Sequence, residues 1–180
     1  MRDRNGKRRE MEREILIERR FILAKVQEIA DRISEDYAGK EPVLIGVLKG
    51  AVFFFADLVM HLTIPCRIDF IGAASYGSGR NSSGEVRLVK DVSIPISGKP
   101  VILVEDIVDT GLTLNRIIKA LRQKGPESIR VCALIDKKER REEAVQLDYS
   151  GFEVEEGFLV GYGLDYDEQY RYLPDICVLR

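Results

Sequence analysis

Apolar residues recur along the chain in two spacings, one typical of helices and one typical of buried strands. From Ile22 to Tyr37 they recur every three or four residues, which predicts an amphipathic helix that ends near Gly39. From Val43 to Leu48 they form a continuous run, which is typical of a strand buried on both faces. The same patterns predict further strands at 15–17, 66–74, 86–92, 101–104 and 129–135, and helices at 51–62 and 114–124.

The order of these elements indicates the fold class. Strands and helices alternate through the middle of the chain, which predicts an α/β fold with a mostly parallel central sheet flanked by helices. Towards the end, short apolar pieces alternate with acids and tyrosines, which predicts a small hood packed on the main sheet. We expect a charged tail at 1–14 and, at 15–180, a single domain with its core at about 38–150 and its hood from about 15–20 and 151–180.

Composition and charge narrow the classes of protein to consider. The chain has 180 residues, of which 45% are hydrophobic and 32% charged, as in an ordinary globular protein. Its net charge of −2 argues against broad nucleic-acid binding, and its basic start is typical of a solvated tail. Neither a secretory signal nor an apolar run long enough to span a bilayer is found, and three scattered cysteines indicate no disulfide framework. We therefore expect a cytoplasmic protein that binds small molecules, with no nucleic-acid or membrane partner.

A Gly- and Ser-rich segment, 75-SYGSGRNSSG-84, interrupts the pattern after the third predicted strand. A loop of this length in a compact domain is usually functional or disordered. We expect it to form a flexible lid at about 75–85.

Polar or charged residues follow three predicted strands. Lys49-Gly50 follows one, an acid cluster begins at Glu105 after another, and Asp136-Lys137 follows a third. Ligands of open α/β sheets bind beyond the carboxyl ends of the strands, so these groups are candidates for one site. Each has a plain alternative, because Lys49 could be a surface turn residue and Lys137 could belong to a solvated charge run.

The segment 101-VILVEDIVDTGLTL-114 carries the clearest candidate chemistry. The turn after its apolar strand would present backbone N–H groups at the positive end of a helix dipole, an arrangement that binds phosphate. Ordinary N-capping by Asp109, Thr110 or Thr113 is the alternative, but it leaves Glu105 and Asp106 unexplained. That pair could accept hydrogen bonds from vicinal hydroxyls or hold Mg²⁺, and Asp109 could accept a proton. Neither a Walker A loop nor a GxGxxG fingerprint is present.

The same segment resembles the phosphoribosyl pyrophosphate (PRPP) binding motif of type I phosphoribosyltransferases. Four further segments resemble, in order, those of bacterial hypoxanthine-guanine phosphoribosyltransferases: LIGVLKGAVFFFADL, IDFIGAASYGS, ALIDKKERR and GFLVGYGLDYDEQYRYLPDICVL. The resemblance covers roughly Ile15 to Leu179. The PRPP motif alone is specific to the superfamily, and together with FLVGYGLDY it is specific to 6-oxopurine enzymes.

The resemblance implies roles in PRPP binding for three groups of residues, which face the ribose and metal, the 5′-phosphate and the pyrophosphate. They are Glu105 and Asp106; Asp109, Thr110, Gly111, Leu112 and Thr113; and Lys49, Gly50 and Arg171. It also implies that Asp109 accepts a proton near N7 of the purine, that the Lys49-Gly50 loop contains a non-proline cis peptide bond, and that Ser75 and Tyr76 open the lid.

The resemblance further implies a purine site. Lys137 would donate a hydrogen bond to the 6-oxo group, Phe158 would stack on the base, and the backbone of Leu159 would read its edge. Asp165 would contact the 2-position side and bind a second Mg²⁺. Adenine would place an amino donor against Lys137, which favours oxopurines.

The implied activity is purine salvage, in which Mg²⁺-dependent transfer from PRPP to hypoxanthine or guanine gives IMP or GMP. A homodimer or homotetramer is also implied. Two alternatives are a PRPP-sensing regulator without the chemistry and an adenine-specific transferase, which Lys137 and FLVGYGLDY disfavour. The order of preference among hypoxanthine, guanine and xanthine stays open at this point.

Overall fold

The elements of the computed structural model, which describes residues 12–75 and 86–180, alternate as the apolar pattern predicts. The strands are β1 Arg13–Ile17, β2 Val43–Leu48, β3 Arg67–Ser75, β4 Val86–Lys90, β5 Pro100–Val108, β6 Ser128–Lys137, β7 Tyr149–Val154, β8 Phe158–Val160 and β9 Ile176–Leu179. The helices are α1 Arg19–Asp36, α2 Val52–His61 and α3 Leu112–Arg122.

Six strands form the main sheet in the order β4-β3-β2-β5-β6-β7. All neighbours are parallel except β4, which runs antiparallel to β3 at one edge. The central strands β2 and β5 are apolar over most of their length because helices cover both faces of the sheet. Since β2, β5 and β6 are parallel, their carboxyl ends meet at one edge of the sheet.

Helices cover the two faces of the main sheet in separate layers. The buried positions of α1, which include Ile22 and Ile29, lie on one side of the helix because its period is 3.6 residues. Side chains of β2 alternate between the layers: Leu44 packs in the cluster with α1 and α2, whereas Val43 and Ile45 pack in the cluster with α3. Each fully buried aliphatic side chain stabilises this arrangement by about 1.5–3 kcal/mol.

The hood is a separate antiparallel sheet of three strands in the order β1-β9-β8. It is tied to α2 by the Tyr162 hydroxyl, which donates to Asp57 Oδ2 at 2.6 Å. It also rests on the loop after β2, because a Cβ added to Gly163 would lie 2.0 Å from the carbonyl oxygen of Gly50. The hood therefore covers part of the carboxyl edge of the main sheet.

The predicted fold class is confirmed, and two predicted strands are longer than expected. β5 continues through both acids to Val108, and β6 continues to Lys137. Their parallel ladder extends to the pair Val108 and Asp136, so hydrogen bonding carries the strands beyond the apolar runs. Sequence periodicity misses these ends because buried charged residues interrupt or follow the apolar runs, Glu105 and Asp106 in β5 and Lys137 in β6.

Some predicted limits differ from the observed elements. The limit between core and hood at residues 150 and 151 falls inside β7, which pairs with β6 in the main sheet. β7 is a mixed-polarity edge strand, so its pattern is weak, although Tyr149 is buried. β1 begins at Arg13, within the expected tail, and most of the expected lid lies outside the described residues. None of the described helices is long and apolar enough to cross a bilayer.

Candidate active site

A cavity of about 390 Å³ lies at the carboxyl ends of β2, β5 and β6, below the hood. Its lining combines residues from the main sheet with residues from the hood. The predicted site residues that line it are Lys49, Gly50, Glu105, Asp106, Asp109, Thr113, Lys137, Phe158, Leu159, Asp165 and Arg171. A second cavity of about 560 Å³, between α3 and β6, contains none of the predicted site residues.

Glu105 and Asp106 form a buried acid pair, with exposures of 9% and 8%. Burial raises the pKa of both carboxyl groups, and the negative charge of Asp106 raises the pKa of Glu105 further. The positive charge of Arg171 acts against this effect, because it lowers the pKa of Asp106. Gly50 packs directly on this pair, because a Cβ there would lie 1.8 Å from Asp106 Oδ2. Only glycine allows the loop after β2 to approach the acids so closely.

The turn between β5 and α3 has the geometry of an anion site. Gly111 begins the helix with φ +85°, a left-handed conformation that favours glycine, and within the described part of the chain no side chain caps this N-terminus. A Cβ at Gly111 would lie 2.3 Å from the carbonyl oxygen of Glu143, so the turn is closely packed from behind. The nearest side-chain contact is long, since Leu112 N donates to Thr110 Oγ1 at 3.4 Å. Ordinary side-chain capping therefore does not explain this turn.

Asp109 stands at the entrance to that turn. Its Oδ2 lies 3.6 Å from Arg140 Nη1, whereas its Oδ1 is buried and has no hydrogen-bond partner among the described residues. Its carbonyl oxygen accepts a hydrogen bond from Arg141 Nε at 2.7 Å. The backbone of Asp109 is thus fixed, while one carboxylate oxygen is available to a donor within the cavity.

The cations of the expected pyrophosphate site are paired with acids of the hood. The cis peptide bond that the resemblance implies for this loop is the one between Leu48 and Lys49. Lys49 Nζ lies 2.9 Å from Glu168 Oε2. Arg171 Nη2 lies 2.8 Å from Asp165 Oδ1 and 3.5 Å from Glu168 Oε2. The hydrogen bond from Lys49 lowers the pKa of Glu168. Arg171 Nε is buried and, among the described residues, has no hydrogen-bond partner.

The expected purine site contains a buried ammonium and an accessible ring. Lys137 is 6% exposed, and its Nζ lies 2.8 Å from Glu139 Oε2. That hydrogen bond lowers the pKa of Glu139. Phe158 is 48% exposed, and its ring meets Tyr166 edge to face at 5.2 Å. Leu159 is buried, and it pairs with Val178 in the β8–β9 ladder, which holds its backbone.

The remaining predicted residues lie beside the cavity or outside the residues that the structure describes. Thr110, Gly111 and Leu112 form the turn between the lining residues Asp109 and Thr113. Ser75 is the last residue of β3, and Tyr76 lies outside the described residues. Within 12–75 and 86–180, no group of three or more His, Cys, Asp or Glu side chains is arranged to hold a metal ion.

Sequence reasoning missed four charged residues of the site, all of which contact predicted site residues. They are Glu139, Arg140, Arg141 and Glu168. The first three belong to the charge run after Lys137, whose plain interpretation was a solvated surface. The signal available in the sequence was the direct attachment of that run to the end of a central strand.

Comparisons with known proteins agree with this geometry. The sequence model of the phosphoribosyl transferase domain matches residues 14–167. The hypoxanthine-guanine phosphoribosyltransferase of Bacillus subtilis (strain 168) is 42% identical over 166 residues, which are 92% of each chain.

Two solved structures extend the likeness to three dimensions. A hypoxanthine-guanine phosphoribosyltransferase from Bacillus anthracis matches with a TM-score of 0.89 and 42% identity, over 95% of this chain and 100% of the other. A hypoxanthine phosphoribosyl transferase from Trypanosoma cruzi matches with a TM-score of 0.88 and 42% identity, over 97% and 94%. With this identity along nearly its whole length, the chain belongs to the phosphoribosyltransferase family, within its group of hypoxanthine-guanine enzymes.

Proposed function

We propose that this enzyme transfers the 5-phosphoribosyl group of PRPP to N9 of hypoxanthine or guanine, giving IMP or GMP and pyrophosphate in purine salvage. Asp109 carries the proposal, because its Oδ1 is buried without a partner among the described residues. A buried polar atom without a hydrogen bond costs about 1–3 kcal/mol. Its position in a cavity that also contains the acid pair and Lys137 favours a ligand that donates to it.

PRPP would occupy the part of the cavity between the main sheet and the hood. Glu105 and Asp106 would accept hydrogen bonds from its ribose hydroxyls, and the N–H groups of residues 110–113 would hold its 5′-phosphate. Lys49 and Arg171 would bind its pyrophosphate, replacing their contacts with Glu168 and Asp165. The unpaired Arg171 Nε supports this assignment, because it is a buried donor that suits a phosphate oxygen.

The base would lie between Phe158 and the end of β6. Lys137 would donate to the 6-oxo group, and the backbone of Leu159 and Asp165 would read the opposite edge. A 6-amino group would oppose the Lys137 ammonium with a second donor and leave both without an acceptor, so adenine is disfavoured. Contact with the exposed face of Phe158 would add apolar burial without distinguishing between hypoxanthine and guanine.

The transfer itself exchanges one bond at C1′ for another. The N9 lone pair forms a bond to C1′ while the bond from C1′ to the pyrophosphate oxygen breaks, and its electron pair leaves with pyrophosphate. The proton on N7 of the base passes to Asp109, which acts as general base. Positive charge that develops on the ribosyl group would be stabilised by the carboxylates below it.

Mg²⁺ fits the donors of this site, because carboxylate oxygens are its usual protein ligands. Glu105 and Asp106 would hold one ion, directly or through its waters, and Asp165 would hold a second ion. Asp165 would first release Arg171, which now lies 2.8 Å from its Oδ1. When bound, Mg²⁺ neutralises negative charge on the pyrophosphate.

We further propose that the enzyme is a homodimer or homotetramer of the cytoplasm. Phe53 and Met60 support self-association, since these large apolar side chains of α2 are 43% and 73% exposed. Three free cysteines fit a reducing compartment. Light scattering of the purified protein should give the mass of two or four chains, and a monomer at micromolar concentration would contradict the assembly.

The activity is tested by incubating the protein with Mg²⁺, PRPP and each of hypoxanthine, guanine, xanthine and adenine. We expect IMP and GMP with release of pyrophosphate, and little product from adenine. Absence of turnover with every 6-oxopurine would refute the proposed function. The three oxopurines measured side by side give the order of preference.

A further inference from the structure

Arg141 joins the ends of two central strands at the candidate site. Its Nε donates to the carbonyl of Asp109 at 2.7 Å, and its Nη2 lies 2.8 Å from the carbonyl of Val108. The same Nη2 lies 3.1 Å from the carbonyl of Lys137 and 2.5 Å from Asp136 Oδ1. One guanidinium therefore contacts the backbone of both Asp109, the proposed proton acceptor, and Lys137, the proposed donor to the 6-oxo group.

The Asp109 carbonyl lies beyond the described β5–β6 ladder, whereas Lys137 pairs with Val154 of β7. The described ladder between β5 and β6 ends at the pair Val108 and Asp136. Buried carbonyl groups beyond the last pair would otherwise lose hydrogen bonds, which is costly in a packed interior. Arginine suits this position because its planar fork offers five donors in fixed directions, whereas lysine offers a point charge on a flexible stem. The side chain of Arg141 is only 18% exposed, so the fork is held by packing.

We infer that Arg141 is a positioning residue that fixes Asp109 relative to Lys137, an inference that rests on the proposed function. Asp109 stands at the end of β5 and Lys137 at the end of β6, so their separation depends on how these ends are held. A purine must meet both at once, through N7 and through its 6-oxo group. PRPP would be bound mainly by groups that Arg141 does not contact: the acid pair, the N–H groups of the 110–113 turn and the pyrophosphate cations. The turn is held separately, because the N–H groups of Glu142 and Glu143 both donate to the Thr110 carbonyl at 3.0 Å.

The test compares Arg141→Met and Arg141→Lys with the wild type. Loss of the fork should lower kcat with hypoxanthine about 100-fold in Arg141→Met and about 10-fold in Arg141→Lys, because misplacement by about 1 Å has effects of this size. The KM for hypoxanthine should rise, while the Kd for PRPP with Mg²⁺, measured by calorimetry, should stay within about threefold. A general loss of structure would instead weaken the binding of hypoxanthine and of PRPP together.

Lys138→Met is the matched control. Lys138 is a cation of the same charge run after Lys137. Its Nζ lies 3.8 Å from Oδ2 of Asp136, which Arg141 also contacts, and its side chain is 60% exposed. We expect its kinetics to stay within about twofold of the wild type, since exposed ion pairs contribute little.

Two results would overturn the inference. One is a kcat of Arg141→Met within about threefold of the wild type, and the other is a loss of PRPP affinity in parallel with the loss of turnover. If Arg141→Met does not fold, Arg141→Lys is judged by the same two criteria. An inactive wild type would refute the proposed function and this inference together, whereas an active wild type with a fully active variant would refute this inference alone.

Discussion

Replacing Gly111 by alanine should weaken PRPP binding far more than an equal change at another strained glycine. Gly111 has φ +85°, and a Cβ there would meet the carbonyl oxygen of Glu143 at 2.3 Å. Gly98 is the matched control, because it has φ +67° and no atom of the residues that the structure describes lies within 4 Å of an added Cβ. The two substitutions share the conformational cost, and only Gly111→Ala adds a backbone clash.

The expected magnitudes follow from these contacts. Alanine in the left-handed region costs about 1–2 kcal/mol, which is the whole cost at Gly98. Overpacking against Glu143 adds about 1–3 kcal/mol at Gly111, since a backbone oxygen cannot turn away as a side chain can. For a chain of this size each kcal/mol lowers the Tm by about 2–4 °C, so we expect losses of about 2–8 °C for Gly98→Ala and about 4–20 °C for Gly111→Ala.

Calorimetric titration with PRPP and Mg²⁺ separates binding from stability. Relief of the clash moves the turn, and each charge-assisted hydrogen bond to phosphate that is lost costs about 1.5–3 kcal/mol. The Kd of Gly111→Ala should therefore rise at least about tenfold, while that of Gly98→Ala should not change. Equal affinities in the two variants, both measured below their Tm, would refute the assignment of this turn to the 5′-phosphate.

Three further substitutions test other parts of the molecule. Asp109→Asn keeps the turn and removes the proposed general base, so kcat should fall about 10²–10⁴-fold with little change in the Kd for PRPP; full activity would remove Asp109 from this role. Glu168→Gln removes the carboxylate that competes for Lys49 and Arg171, so calorimetry should show pyrophosphate binding about two- to fivefold tighter, whereas the exposed control Glu156→Gln should not. Tyr149→Phe removes a hydroxyl that donates to Asp36 Oδ2 at 2.7 Å and lowers the pKa of that acid, so the free energy of unfolding at pH 7 should fall by about 1–2 kcal/mol. This contribution is present above the ordinary pKa of aspartate and is lost as the pH falls through the lowered value, so urea unfolding should show the two proteins converging in acid; a constant difference would contradict it.

Strongly apolar elements could be predicted from the sequence, because burial on both faces leaves a continuous signal. The predicted bounds of β2, Val43 to Leu48, agree with the structure for this reason. The end of β5 could not be predicted in the same way, since Glu105 and Asp106 are buried although they are charged. β7 was also missed as part of the main sheet, because an edge strand has one exposed side and mixed polarity.

The candidate site was predicted mainly through residues that would face the substrates. Arg141 and Glu139 were not predicted, since their importance lies in contacts with Asp109 and Lys137 that form only when β5 and β6 are adjacent. In the sequence alone, both residues belong to a charge run that looks like an ordinary solvated surface segment. Spatial pairing between strand ends is information that periodicity does not contain.

The contact of Gly163 with Gly50, and of Gly50 with Asp106, limits how this enzyme can be redesigned. Three segments of the chain meet there through backbone atoms and a carboxylate, with no intervening side chain to absorb a change of shape. A hood taken from another member of the family to alter the choice of base would also shift the loop and the acids beneath it. Such an exchange of modules should succeed only if the turn at Gly163 and the loop at Gly50 are transplanted as a matched pair.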